Sequence, residues 1–358
     1  MRKLQDLLVV AIATTALIFA VGCGEDAASS DDGGAGGTGG AGAVGGAGGA
    51  GGAGGAGGAG GAGAEGGAGG AGGTGGSAPA CTDTDPLPET ADGDWAPVSR
   101  VTSLNIPSNP GEATAGGCDT VGDNNGTGLS ALIRVLGTDL SELTQPDDEG
   151  NIELILLAHL DGWAAGQTAS EAGSATLNLY SGDPAEDGSY TVAPDSFVDD
   201  DPTGDARISF DATLDGCGME TTTGNFALTL PVSGISIDVN LSQTTLKADI
   251  ASAETGFDMS NGLITGYLTI ESLVALIGSI VELCESPEAP SFCASAGMFL
   301  GGDPQMTVDT IVLPVLRGAD SLVTETSVEG DCGDDCNAVS VCLLVEGTAA
   351  TLSGITGQ

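Results

Sequence analysis

Apolar and polar residues alternate along most of the C-terminal part of the chain. The clearest run has Ile235, Ile237, Val239 and Leu241 separated by polar residues. This spacing places the four apolar side chains on one face of a strand whose other face contacts solvent. The same alternation, strong or weak, occurs in segments 175–179, 208–214, 226–230, 246–250, 263–270, 307–312 and 339–345. The pattern therefore predicts many half-buried β-strands.

Three segments depart from this alternation. Ile152–Leu160 is apolar on both faces in its middle, which is typical of a central strand. Two other segments have apolar residues at helical spacing: Leu129–Leu143, which follows Thr127, and Leu273–Cys284, which follows Thr269. Because threonine is a common N-cap, we expect both segments to be short amphipathic helices.

The number of strands and the turn signals between them indicate the fold class. Turn clusters such as Asp215-Gly216 and Asn261-Gly262 separate neighbouring apolar runs. We predict one mainly β domain over residues 81–358, an antiparallel β-sandwich with about two short helices. An outer-membrane barrel would alternate in the same way, but it needs aromatic girdles, and aromatic residues make up only 3% of the chain.

The first 22 residues have the layout of a secretory signal peptide. Arg2 and Lys3 give a basic start, and Leu7–Val21 is an almost unbroken apolar run. Fifteen residues rise only about 22 Å as a helix, which is short for a bilayer core of about 30 Å. We therefore expect residues 1–22 to direct export and to be removed.

The end of this segment carries a resemblance to a known class of protein. The sequence Ala20-Val21-Gly22-Cys23 resembles the lipobox of bacterial lipoproteins. The resemblance implies that Cys23 receives a diacylglycerol and becomes the first residue of the mature chain. Its lipid would be the membrane attachment, and Gly24 in place of aspartate implies the outer membrane or cell surface.

Residues 23–80 form an acidic and then Gly/Ala-rich segment. Positions 33–76 consist almost entirely of Gly-Gly-Ala-like triplets without proline, which argues against a collagen helix. A packed polyglycine-type sheet is an alternative. Such a composition buries little apolar surface, so we predict a disordered tether with an r.m.s. reach of roughly 35–40 Å.

The charge balance excludes some partners. The formal net charge is −43, and five basic residues follow position 22. Such a chain repels nucleic acid, so we expect no nucleic-acid partner and leave a protein or glycan ligand open.

The chain has eight cysteines after Cys23, and an even number in an exported protein indicates disulfides. They are Cys81, Cys118, Cys217, Cys284, Cys293, Cys332, Cys336 and Cys342. Cys284 and Cys293 are the pair that local sequence favours, because Pro287 and Pro290 bend the chain between them.

Two acidic segments have the form D-x-[DN]-x-T-G and are candidate calcium loops. Asp123 and Asn125 belong to the first, and Asp199, Asp201 and Asp205 belong to the second or follow it. Calcium prefers six to eight oxygen ligands, which carboxylates and amides supply. The alternative is a pair of acidic turns, because both segments lack the glutamate that closes an EF-hand loop.

The sequence offers little for catalysis. His159 is the only histidine, and no G-x-S-x-G motif occurs. We therefore predict a lipid-anchored binding, adhesion or envelope-associated module without catalysis. The alternative is a tethered hydrolase of the glycosidase type, which needs only two carboxylates. Trp95 or Trp163 would then be a platform for a sugar ring.

The lipobox resemblance gives a direct prediction for Cys23. Labelled fatty acid should enter the protein, and Cys23→Ala should abolish both labelling and membrane fractionation because the acceptor thiol is lost. Cys81→Ala serves as the matched control and should keep both. A Cys23→Ala protein that still fractionates with membranes would contradict the lipidation hypothesis.

Overall fold

The computed structural model describes residues 82–357 except 92–94, 131–132, 134–138, 233–234, 287–288, 290–292 and 294–302. The predicted signal segment, the Gly-rich linker, Cys23 and Cys81 lie outside the described residues. Among the helices that are described, none has the length and apolar character needed to cross a membrane.

The described strands and helices are as follows. The strands are β1 (Val98–Asn105), β2 (Leu156–Asp161), β3 (Ser174–Pro184), β4 (Tyr190–Val192), β5 (Ile208–Asp215), β6 (Gly218–Thr221), β7 (Gly224–Val232), β8 (Ile235–Ala253), β9 (Gly256–Thr269), β10 (Leu322–Val323), β11 (Val328–Glu329), β12 (Ala338–Ala350) and β13 (Leu352–Ile355). The α-helices are α1 (Pro110–Ala115), α2 (Leu140–Leu143), α3 (Ala169–Ala172), α4 (Ile270–Glu285), α5 (Pro304–Thr307) and α6 (Leu313–Val315). The prediction of a mainly β domain is confirmed.

Eleven strands form one large sheet, which closes on itself. Its order is β13-β4-β3-β2-β1-β12-β9-β8-β6-β5, with β7 paired to β8 and an additional pairing of β3 with β5. This last pairing runs antiparallel from Ser174↔Thr213 to Leu179↔Ile208. Strands β1, β2, β3, β5, β6, β8, β9 and β12 therefore form a closed antiparallel ring.

The hydrogen bonding differs from that of two separate sheets. Strands that the sequence assigns to a sandwich lie in one continuous sheet, and only the short β10–β11 pair is separate from it. Period-two patterning identifies the buried face of each strand but carries no information on which strand lies beside it. The pairing β3–β5 joins residues separated by 29 to 39 positions, and no local sequence signal predicts it.

Apolar side chains from opposite walls fill the interior of the ring. Leu160, Leu177, Phe257 and Val341 are all fully buried in this core. An eight-stranded closed sheet has an interior just wide enough for side chains or for one small ligand. The interior is therefore a core lined by packed side chains. A small change in the volume of one side chain changes the space that remains for a ligand.

Helix α4 is the helix predicted from residues 273–284. Thr269 is its N-cap, and the Thr269 hydroxyl oxygen accepts a hydrogen bond from the backbone N–H of Ser272 at 3.1 Å. Leu273, Ile277 and other residues on the same face are buried in the main core. The other predicted helix, 129–143, is described only in part, with α2 at its end.

The prediction of a strand over residues 307–312 is wrong. This segment is helical: α5 leads into a π-helical turn (Val308–Val312) and then into α6. Asp303 caps the start, and its carboxylate accepts from the Gln305 backbone N–H at 2.9 Å. Val308, Val312 and Leu316 recur every four residues and are buried, so helical spacing prevails over the local alternation.

The seven cysteines of the described part of the chain are disulfide-bonded. The structure has Cys284–Cys293, the pair that the sequence favours, together with Cys118–Cys342 and Cys332–Cys336. Cys217 is also disulfide-bonded. The Cys118–Cys342 bond joins the segment after α1 to the buried centre of β12 across 224 residues.

A buried carboxylate holds the loop 119–128 against β12. Asp320 is 8% exposed and accepts hydrogen bonds from the backbone N–H of Asn124 (3.0 Å), the backbone N–H of Ser340 (2.8 Å) and the Ser340 hydroxyl (2.6 Å). The Ser321 hydroxyl donates to the same carboxylate at 3.1 Å. Loss of this carboxylate would leave four buried hydrogen-bond donors without an acceptor, which would lower the free energy of unfolding.

Asp320→Ala should lower the free energy of unfolding by about 3 kcal/mol, because it leaves buried donors without a partner. Asp123→Ala, in the same loop but exposed, should change it by less than about 0.5 kcal/mol. Denaturant unfolding of both variants measures the difference. Equal effects would show that the carboxylate is not the element that holds this loop.

Candidate functional site

A cavity of about 220 Å³ opens from the interior of the closed sheet. Its inner wall is apolar and is contributed by six strands of the ring. The residues of this wall include Val101, Leu156, Leu179, Leu246, Ile264 and Val345. They lie on β1, β2, β3, β8, β9 and β12, so the cavity exists only when the ring is assembled.

The outer wall comes from the hairpin formed by β7 and the first part of β8. Phe226 and Leu228 of β7 line the cavity, and both belong to the main core. The hairpin meets the ring at Gln243, where φ is +49° and the β8–β9 register shifts. This bulge separates the arm of β8 that pairs with β7 from the part that pairs with β6.

The mouth of the cavity lies between two strand edges. β6 pairs with β5 only from Ala212 to Asp215, so the start of β5 has no strand on that side within the described chain. The outer edge of β7 is likewise unpaired there. Arg207 and Ile208 line the cavity on one side and residues 227–229 on the other.

One basic side chain stands at this mouth, and it is already engaged. Arg207 Nη2 donates to Asp200 Oδ1 at 2.6 Å, and Arg207 Nε donates to the carbonyl oxygen of Phe197 at 2.9 Å. The Arg207–Asp200 ion pair is half exposed, so solvent screens it and its contribution to stability is small.

The remaining polar groups at the mouth are acids, hydroxyls and an amide. Asp238 accepts from the Thr229 hydroxyl at 2.6 Å through Oδ1. Asp195 has neither a hydrogen bond nor an ion pair from its side chain among the described residues. The Ser196 hydroxyl accepts from the backbone N–H of Ser181 at 2.8 Å. The site thus combines an apolar interior with a polar rim.

This combination is suited to binding a small molecule. Ligand sites are concave, mostly apolar and carry a few polar groups that orient the ligand. An apolar cavity of roughly 150 Å³ accommodates benzene. By proportion, the cavity of about 220 Å³ accommodates an apolar group of roughly nine carbon atoms.

His159 lies elsewhere, on the outer face of the ring. It is 5% exposed in a second core, with Trp95 and Tyr180 ring centroids at 6.3 Å and 6.4 Å. Its Nδ1 has no hydrogen-bond partner in the described chain. Burial lowers the pKa of His159, while the charge of Asp161 acts in the opposite direction. His159 is therefore a buried residue of β2 and does not line the cavity.

The tryptophans do not form a sugar platform in the described structure. Trp163 is 1% exposed, and its Nε1 donates to the carbonyl oxygen of Gln167 at 2.9 Å. Trp95 is half-buried and packs edge-on against Tyr180 and Phe197. A buried ring has no free face on which a sugar could stack.

The first candidate calcium loop is held by structural hydrogen bonds. Asp123 is exposed, whereas the Asn125 side chain accepts from the Thr120 hydroxyl (3.4 Å) and donates to the Thr114 hydroxyl (3.0 Å). Within the described residues, no group of three or more His, Cys, Asp or Glu side chains is arranged to hold a metal ion.

The second candidate loop uses its acids in turns. Asp201 Oδ1 accepts from the Thr203 backbone N–H at 3.0 Å and from its hydroxyl at 2.8 Å. The Thr203 backbone N–H holds the pKa of Asp201 below its usual range, and the Thr203 hydroxyl adds to this effect. Asp199 and Asp205 are exposed. The geometry favours the acidic-turn alternative that the sequence left open.

Asp147 and Asp187 have pKa values shifted in the direction opposite to that of a glycosidase acid. A glycosidase needs one carboxylic acid with a raised pKa. The backbone N–H of Asn151 lowers the pKa of Asp147, and the Ser189 hydroxyl lowers that of Asp187. These carboxylates accept hydrogen bonds in surface turns and are poor proton donors.

Comparison with protein-family models, with curated proteins and with solved structures finds no match to this chain. The cavity is also the feature that sequence analysis misses. Each residue of its apolar inner wall has the pattern of an ordinary core position, and only the gap between β5 and β7 distinguishes the cavity. No local signal marks that gap.

His159 gives a clean pH prediction because it is the only histidine. The folded-state pKa is lowered, so the unfolded chain takes up a proton first as the pH falls below about 6.5. The contribution of His159 to the free energy of unfolding should therefore decrease between about pH 6.5 and 5. His159→Phe should remove this decrease. The same slope in both proteins would exclude His159 as its source.

Proposed function

We propose that this chain is a lipid-anchored, tethered binding protein that holds a small apolar molecule in the cavity of its closed sheet. The observation that carries the proposal is the cavity itself: an apolar interior of about 220 Å³ with a polar mouth. Closed sheets of eight strands accommodate one small ligand in this way.

The sequence supports the location that this function requires. The lipobox resemblance at Cys23, the apolar segment before it and the disulfides are features of an exported, membrane-attached protein. A disordered linker over residues 23–80 would let the domain reach ligands at some distance from the membrane. The outer membrane or cell surface is the proposed location.

The proposal also includes the sandwich arrangement that the sequence predicts. Opposite walls of the closed ring enclose the apolar core, and we propose that the ring is flattened, so that two halves of one sheet face each other. The cavity then occupies the space between these halves, beside the β7–β8 hairpin. No specific feature of the described residues favours a second function.

Binding of 1-octanol tests the proposal, because its chain matches the cavity and its hydroxyl can reach the polar rim. Residues 23–358 carrying Cys23→Ala lack both the apolar signal segment and the lipid, so they avoid detergent, which would compete for the cavity. We expect saturable binding in isothermal titration calorimetry, with the negative heat-capacity change of apolar burial and a raised melting midpoint.

Leu228→Trp should weaken octanol binding at least about tenfold, because the larger side chain fills the cavity. Leu230→Trp is the matched control: it lies on the same strand and is buried on the same face, but it does not line the cavity. Both variants are checked for folding by circular dichroism. Absence of octanol binding to the unsubstituted domain, or equal binding by both folded variants, would contradict the proposal.

A further inference from the structure

The charges at the cavity mouth are not balanced. Asp195 has no partner among the described residues, and Asp238 has only the neutral Thr229 hydroxyl. Arg207 carries the only positive charge of the lining residues, and Asp200 neutralises it at 2.6 Å. After these pairings, the mouth retains two carboxylates without a cation.

The rest of the chain reinforces this local excess. With a net charge of −43 and only five basic residues after position 22, the protein attracts cations and repels anions at long range. A carboxylate or phosphate head group would have to approach the mouth against this field. This field would attract an ammonium head group, which could donate hydrogen bonds to the carboxylates of Asp195 and Asp238.

We infer that the ligand of the cavity is a small cationic amphiphile, an aliphatic or aromatic amine whose apolar part occupies the interior and whose ammonium group lies at the mouth beside Asp195 and Asp238. This inference rests on the proposed function and narrows it to one ligand class. It also gives the two mouth carboxylates a role that the packing of the domain does not require.

Three ligands with the same chain length and different head groups test the inference. Octylamine is a cation at pH 7, 1-octanol is neutral and octanoate is an anion. Titration of residues 23–358 carrying Cys23→Ala should give the highest affinity for the amine, a lower affinity for the alcohol and the lowest for the carboxylate. We expect octylamine to bind about ten times more tightly than octanol at low ionic strength, and this ratio should shrink as salt is added.

Variants separate the mouth from the general acidity of the surface. Asp195→Asn and Asp238→Asn together should reduce the ratio of octylamine affinity to octanol affinity to about threefold or less. Asp334→Asn with Asp335→Asn removes the same charge from an exposed turn that does not line the cavity and should leave the preference intact. Octylamine binding to the Leu228→Trp variant, whose cavity is filled, measures non-specific attraction. This background is subtracted from the binding to each of the other proteins.

The outcomes distinguish the proposed binding function from the inference that the ligand is a cation. If none of the three ligands binds the cavity, the proposed function fails. If octanol binds and octylamine binds no more tightly, the proposed function stands and the cationic ligand is excluded. A preference for octylamine that both pairs of substitutions reduce equally would also overturn the inference, because it would assign the preference to overall charge.

Discussion

The pairing of β3 with β5 is the interaction on which the rest of the structure depends. Six antiparallel residue pairs, from Ser174↔Thr213 to Leu179↔Ile208, close the sheet into a ring. Closure turns one face of every ring strand into a shared interior, where apolar side chains from opposite walls meet. It also fixes β5 in a position that β6 covers only in part, and the cavity mouth is the part left open.

Sequence pattern predicts the strands better than it predicts their arrangement. The segments 208–214, 226–230 and 246–250 lie within β5, β7 and β8, and Thr269 caps α4 as expected. Segments 235–241 and 246–250 belong to one long strand with a bulge at Gln243, and nothing in the alternation indicates this continuity. Long-range pairing and the cavity are properties of the assembled ring, so they have no counterpart in any single segment.

The acidic residues serve local structure more than ion pairing. In the described chain, ion pairs join Arg207 to Asp200 and Lys247 to Glu220. Elsewhere carboxylates accept hydrogen bonds from nearby hydroxyl and backbone N–H groups, as Asp201 does in its turn. A chain with few cations can stabilise its loops in this way because neutral donors replace lysine and arginine. In the second acidic segment, this use occupies Asp201 Oδ1 with the backbone N–H and the hydroxyl of Thr203.

The disulfide between Cys118 and Cys342 encloses most of the folded domain in one covalent loop. Proteases cut first at exposed turns such as residues 185–188, between β3 and β4. After one such cut, the two fragments would remain joined through β12 and the segment behind α1. The ring could then keep its strands together, so a single cut need not separate the two halves of the domain.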